Sequence, residues 1–236
     1  MALSFEIESS AFPPEATVAA FRGSEGISRP YVFDVYVNVA GADADIDDAP
    51  GGRATLKINQ EGALPTRVSG VIASIELLRT VRVEDGSSRH NSLYLVRIVP
   101  ELWLLSLTKH SRIWTKKSIP DIVKDVLEDE GVSRVEMRLR QTYEEEEHVC
   151  QYKESSLNFI SRWMEREGMY YFFEQGDAGE TLVITDDKST STASRALPIP
   201  YRPAGEGDSS AGTHLDTFTA RHAALPASVR LLDYDY

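Results

Sequence analysis

The sequence predicts an α+β protein that is mainly β, in which a set of long antiparallel strands precedes a smaller region carrying two helices. Three observations lead there. Apolar residues alternate with polar ones through most of residues 1–100. Two segments after Ser118 switch to helical spacing, and a glycine closes each of them just before a new strand-like run.

LSFEIE opens the chain as a strand and TVAAFRG follows it. RPYVFDVYVNVA then places Tyr31, Phe33, Val35, Val37 and Val39 at period two, on one face of a half-buried strand. RATLKIN, the long run TRVSGVIASIELLRTVRV and SLYLVRIVPELWLL read as further strands, separated by turn-forming clusters such as DAPGG and EDGSS. Long strands joined by short turns predict an antiparallel barrel or sandwich.

At Ser118 the pattern changes. Ser118-Ile-Pro-Asp121 has the form of a helix start: a hydroxyl to cap free amides, an early proline, and a carboxylate near the positive helix end. Ile119, Ile122, Val123, Val126 and Leu127 share one helical face, and Gly131 supplies the stop. A second helix starts near Ser155 or Ser156, with Leu157, Ile160 and Met164 in one stripe widened by Phe159 and Trp163, and ends at Gly168. The helices are thus expected near residues 118–130 and 155–167, followed by the strands VEMRLR after the first and MYYFFE and TLVIT after the second. From Ala196 the chain turns into LPIPYRPAGEGDSSAG, which reads as a linker, and LDTFTARH and ASVRLLDYDY read as two more strands.

Composition narrows the function classes. A chain of 236 residues forms one large domain or two moderate ones and buries roughly 70% of its unfolded surface. Hydrophobic residues make up 42% and charged residues 26%, an ordinary globular balance, and no apolar run has the length of a membrane span. With 25 basic against 37 acidic residues the formal charge is −12, which disfavours nucleic acid, although Lys109 to Lys117 forms a local basic stretch. The single cysteine, Cys150, excludes an intrachain disulfide and points to folding in the cytosol. MALSFEIESSAFPPEA has no basic start followed by an apolar block, so no secretory signal is read in it.

No local motif carries catalysis or metal binding. Asp43, Asp45, Asp47 and Asp48 imitate the start of a calcium loop, but the sixth position is Asp48 instead of glycine and the twelfth is Ala54 instead of glutamate. Glu144 to Glu147 with His148 and Cys150 offers too few nitrogen and sulfur ligands for zinc, and a charged edge strand explains it better. The five histidines form no HExxH pair, and GxSxG, Walker and GxGxxG patterns are absent. No catalytic residue, metal ligand or cofactor is assigned. The remaining unusual feature is SSLNFISRWMEREGMYYFFE. In its strand Met169, Tyr171 and Phe173 point one way and Tyr170 and Phe172 the other, so both faces are apolar. A strand of that kind is covered on both sides, and Trp163, Met169, Tyr170, Tyr171, Phe172 and Phe173 are therefore expected to be packing residues, with Trp163 near the strand and buried.

VCQYKESSLNFISRWMEREGMYYFFE followed by TLVITDD resembles a stretch of the VgrG spike family of type VI secretion systems. Other pieces agree in the same order: RPYVFDVYV, a DADIDD loop, VSGVIASIELL, YLVRIVPELWLLSLTKHSRIW, SIPDIVKDVLEDEGV, IPYRP and VRLLDYDY. The resemblance covers nearly the whole chain. It implies a structural hub instead of an enzyme, with a tail-tube-like barrel over residues 1–110, a middle α+β region over 111–195, and a linker with the first strands of an incomplete second barrel over 196–236. It further implies a homotrimer in the full-length family protein, weak or absent for so short a chain, that docks on the hexameric Hcp tube. Baseplate proteins, effectors and a PAAR tip are the other implied partners. The protein would fold in the bacterial cytoplasm and be translocated by the secretion system. The family's oligonucleotide-fold domain and valine-glycine needle are not in this sequence, so the chain is expected to be an N-terminal piece or a naturally short product. A contractile phage tail hub is the alternative, and a ligand- or metal-binding enzyme on this scaffold the third.

Overall fold

The computed structural model describes residues 3–41, 46–60, 64–82, 90–190, 200–202, 214–224, 226–228, 230 and 232. Two compact units divide the chain, Ala2–Thr192 and a second comprising Met1 with Ala193–Tyr236.

Within the first unit, six strands form one antiparallel sheet: β1 (Leu3–Glu8), β2 (Thr17–Gly26), β3 (Arg29–Ala40), β4 (Arg53–Gln60), β5 (Thr66–Arg82) and β6 (His90–Val99). Their order is β1-β4-β5-β6-β3-β2, so the first two strands in sequence become its edges. The sheet curls until those edges meet, and Phe5 of β1 contacts Phe21 of β2 edge-to-face at 5.2 Å although no ladder joins them. Register shifts in the β2–β3 and β5–β6 pairs mark the bulges that bend the strands. The concave side is the apolar core expected from the alternation in RPYVFDVYVNVA: Val35, Val37 and Val39 are fully buried with Leu56, Val96 and Ile98.

One buried charge lies on the face of the sheet opposite that core. Asp34 is 7% exposed; its register partners are Arg22 and Arg97. Arg97 donates through Nε at 2.8 Å and Nη2 at 3.2 Å, and Arg22 through Nη2 at 3.4 Å. The hydrogen bond from Arg97 holds the carboxyl below its usual range against the opposing cost of burial. A carboxylate depressed in this way stabilises the fold at neutral pH, and that contribution is lost as pH falls through its lowered value.

After Val99 the ladder ends at Pro100, and Glu101–Ser106 forms a 3-10 turn. The strand reading of PELWLL fails here because proline has no N–H to continue the ladder. The remaining elements are β7 (Lys109–Trp114), β8 (Lys117–Ser118), α1 (Ile119–Asp129), β9 (Val135–Arg138), β10 (Glu145–Glu146), β11 (Val149–Ser155), α2 (Ser156–Arg166), β12 (Tyr170–Gly176), β13 (Gly179–Thr185) and a short 3-10 turn at Lys188–Thr190. Strands β7 and β11 form a ribbon, β8 and β10 a minimal pair, and β12-β13-β9 a sheet in which β13 and β9 run parallel.

Both helices follow the same local rule. Ser118 accepts the Asp121 amide at 3.4 Å and Ser155 the Asn158 amide at 3.2 Å. Gly131 and Gly168 end them at φ +80° and +73°, conformations that cost glycine little. Val132 N donates to Leu127 O and Gly131 N to Glu128 O, while Met169 N donates to Met164 O and Gly168 N to Glu165 O. Each helix thus ends in the paired six-to-one and five-to-two bonds that satisfy its last carbonyls and turn the chain into the next segment. All five expected face residues of α1 are buried. With Phe159, Ile160 and Met164 of α2, and Leu182 and Ile184 of β13, they make a second apolar core.

In the other unit, Tyr201 and Leu215 form a single parallel bridge, with Arg202 N donating to Leu215 O and Leu215 N to Pro200 O. Leu215–His222, read from sequence as a strand, makes no ladder beyond that bridge among the described residues. Alternation alone does not hold a strand, because its backbone groups need a neighbour to pair with. The run 227–236 and the preceding linker fall largely outside the described residues.

Candidate functional site

The helix-glycine-strand segment sits where the curled sheet meets the second core. Met169 and Tyr171 are buried, at 3% and 2% exposure. Phe173, on the same face, is half-buried and packs against both cores. Its ring meets Tyr31 of β3 edge-to-face at 5.0 Å and Tyr171 at 5.8 Å. Burial, with the Glu165 charge nearby, pushes the Tyr171 hydroxyl up to about 12. On the opposite face Tyr170 and Phe172 are half-buried. The Tyr170 hydroxyl donates to the Asp187 carbonyl at 2.8 Å, and Phe172 lines a cleft with Ile27, Arg29 and Tyr31.

Trp163 is half-buried and packs against the core that contains Met169 and Tyr171. Its ring carries two guanidinium groups, Arg166 Cζ at 4.7 Å and Arg162 Cζ at 5.3 Å. Because the indole is only half-buried, its removal empties less enclosed space than loss of a ring from packed core does. Trp163→Ala is expected to lower the unfolding free energy by about 2 kcal/mol, below the ~3–5 kcal/mol of a fully enclosed aromatic; urea denaturation of the variant checks this.

Polar contacts complete the joint. At the β2–β3 turn, Ser28 has φ +54° and its amide donates to the Tyr171 carbonyl at 2.8 Å. The Ser69 amide donates to Gln175 Oε1 at 2.9 Å, the Glu101 amide to Glu180 Oε1 at 3.1 Å, and the Tyr31 hydroxyl to the Ser69 carbonyl. Arg67 Nη2 lies 3.5 Å from Asp177 Oδ1 at the hairpin turn. The sequence marks Tyr31 only as one residue of a buried strand face, and it does not mark Gln175 or Glu180. The available signal is that Gln175 and Glu180 are polar residues placed symmetrically about the Gly176–Gly179 turn, as register partners.

The acidic and metal-like clusters of the sequence are seen only in part. Among the described residues no group of three or more His, Cys, Asp or Glu side chains is placed to hold a metal ion. Asp43 and Asp45 lie outside them, whereas Asp47 and Asp48 are exposed. Glu145 and Glu146 pair with Ser118 and Lys117, and Glu146 Oε1 meets Arg166 Nη2 at 3.1 Å. Among the described residues no helix is long and apolar enough to cross a membrane.

Comparisons with known proteins find relatives along most of the chain. VgrG1b, a type VI secretion system spike protein of Pseudomonas aeruginosa, is 29% identical over 215 residues, covering 91% of this chain and 28% of the relative. VgrG5 of the same organism is 32% identical over 187 residues, covering 78% and 22%. The chain spans less than a third of the length of either relative. A solved type VI secretion component of Escherichia coli, described as structurally similar to the T4 bacteriophage tail proteins gp27 and gp5, matches with a TM-score of 0.68 at 22% identity, covering 85% of this chain and 53% of that one. Residues 24–236 match the phage tail baseplate hub (GPD) family, from the end of β2 through the rest of the curled sheet and the helix-bearing core, and this chain belongs to that family.

Proposed function

We propose that this chain is the hub-forming part of a type VI secretion spike subunit, which docks on a hexameric Hcp tube and transmits contractile force to a spike that carries effectors. The observation that supports it most is the alignment with a spike protein over 91% of the chain, joined to a fold likeness with a secretion component. Residues 1–110 serve as the first tube-like barrel, 111–195 as the middle region, and 196–236 as the linker and the opening of a second barrel. The chain performs no catalysis of its own. Baseplate proteins are further partners, while effectors and a PAAR tip engage other parts of the spike. It folds in the bacterial cytoplasm and leaves the cell through the machine it belongs to.

Symmetry supplies the mechanism. A trimer meets a sixfold ring when each subunit presents two similar barrels, so that three chains imitate six tube units. A chain with one complete barrel offers half of that contact. It is expected to run as a monomer at micromolar concentration in light scattering, and a tight trimer would overturn the one-barrel argument. The function itself is tested by mixing the chain with Hcp tubes. Electron micrographs should show it at one tube end only; no end-binding at ten-micromolar concentrations would sink the reading. The family's description as a phage tail baseplate hub favours one second reading, a phage-like particle. Binding to a phage tube protein, and not to Hcp, would select it.

A further inference from the structure

The joint between the two cores is built around an acid with no cation of its own. Glu180 is 5% exposed. Its Oε1 accepts the Glu101 amide, and its Oε2 is buried without a donor. Directly across the hairpin, Gln175 spends its Oε1 on the Ser69 amide and keeps its buried Nε2 beside the Tyr31 hydroxyl, without a well-formed hydrogen bond. The hydroxyl of Tyr31 belongs to the same cluster. Burial first and the Glu180 charge second make its proton harder to remove.

Charged groups face this cluster from every element packed on it. Glu101, on the 3-10 turn, is held by Arg53 of β4. Glu25 of β2 acts on Tyr31. Arg67 of β5 pairs with Asp177 at the hairpin turn, and the Arg134 guanidinium lies beside Gly179. Arg53 is the cation whose charge reaches Glu180, and its guanidinium is already committed to Glu101. A carboxylate with one orphaned oxygen in such a place pays for desolvation without full compensation. The neutral acid removes that charge and with it the largest part of the desolvation cost.

We propose that this joint is proton-operated: with Glu180 neutral the β12–β13 hairpin is fastened to the curled sheet, and release of the proton loosens it. Burial is the largest influence on the carboxyl and raises it above its usual range. A folded-state value raised in this way gives a contribution fully present below the ordinary carboxylate range and lost as pH rises through the raised value.

Three amides donate across the joint, those of Ser28, Ser69 and Glu101, and their hydrogen exchange reads its opening directly. After correction for intrinsic base catalysis, their opening constants are expected to rise with pH by up to about tenfold per unit, while amides of the β3–β6 ladder hold constant. Glu180→Gln keeps the shape without the charge and should flatten the profile at its low-pH level. Carbon-13 titration of the Glu180 carboxyl in the unmodified chain supplies a second measurement that does not need the variant to fold. Titration in the ordinary carboxylate range, or an equal pH response in the chain and in Glu180→Gln, overturns the proposal.

Discussion

Phe159→Ala is expected to lower the unfolding free energy by about 3–5 kcal/mol, the cost of removing a large ring from a site that cannot collapse. Phe159 is fully buried in α2. Its ring stacks on Trp114 of β7 at 5.1 Å between centroids, with an interplanar angle of 16°, and Arg162 Cζ lies 5.2 Å from its centroid. The walls of the resulting cavity belong to separate elements, each fixed elsewhere. Trp114 is held in the β7–β11 ladder opposite Val149, and Arg162 is tied to Glu154 and the Cys150 carbonyl. None can move in without breaking those ties. Urea denaturation gives the loss, and the near-ultraviolet dichroism of Trp114 should fall with it. A loss under about 1 kcal/mol would show that the second core repacks freely, contrary to its close-packed arrangement.

Gly70→Ala is expected to cost about 3 kcal/mol or to prevent folding, by overfilling instead of emptying. A Cβ on Gly70 would stand 2.2 Å from the Val99 carbonyl oxygen and 3.1 Å from the Tyr31 hydroxyl. The first of these is backbone, locked where Val71 pairs with Val99, so it cannot rotate away. Either β5 and β6 separate or Tyr31 is driven from the joint. Gly23 provides the comparison. Its added Cβ would meet the Phe33 ring at 2.2 Å, but a side chain can swing aside, so Gly23→Ala is expected to be the milder of the two. Soluble yield and denaturant midpoints of both variants decide the matter; equal stability of Gly70→Ala and the unmodified chain would refute the clash.

Local grammar was legible in the sequence because its causes are local. Ser118 and Ser155 announce the helix starts, Gly131 and Gly168 the stops, and the period-two valines of β3 a buried face, and each depends on residues within a few positions. What could not be read was closure over distance. Nothing near Gly70 shows that Val99 passes within reach of it, and nothing in MYYFFE shows that Phe173 meets Tyr31 from the other core. The parallel pairing of β9 with β13 has the same character, since the alternation of VEMR and TLVIT fits either direction. Glu180 looks like any surface acid near a turn, and only the packing around it makes its charge expensive. The partly exposed state of Trp163 was likewise hidden, because its cover comes from two arginines on its own helix.

The order of elements along the chain has a consequence for synthesis. Every strand of the curled sheet is complete by Val99, whereas the second core needs β9 and β13 to pair, and β13 ends at Thr185. On a ribosome the sheet can therefore collapse while α1 and α2 still wait with bare apolar faces for the last strand of their sheet. A nascent chain stalled before Gly179 would hold one finished body and one adhesive one, and chaperone capture should peak in that window.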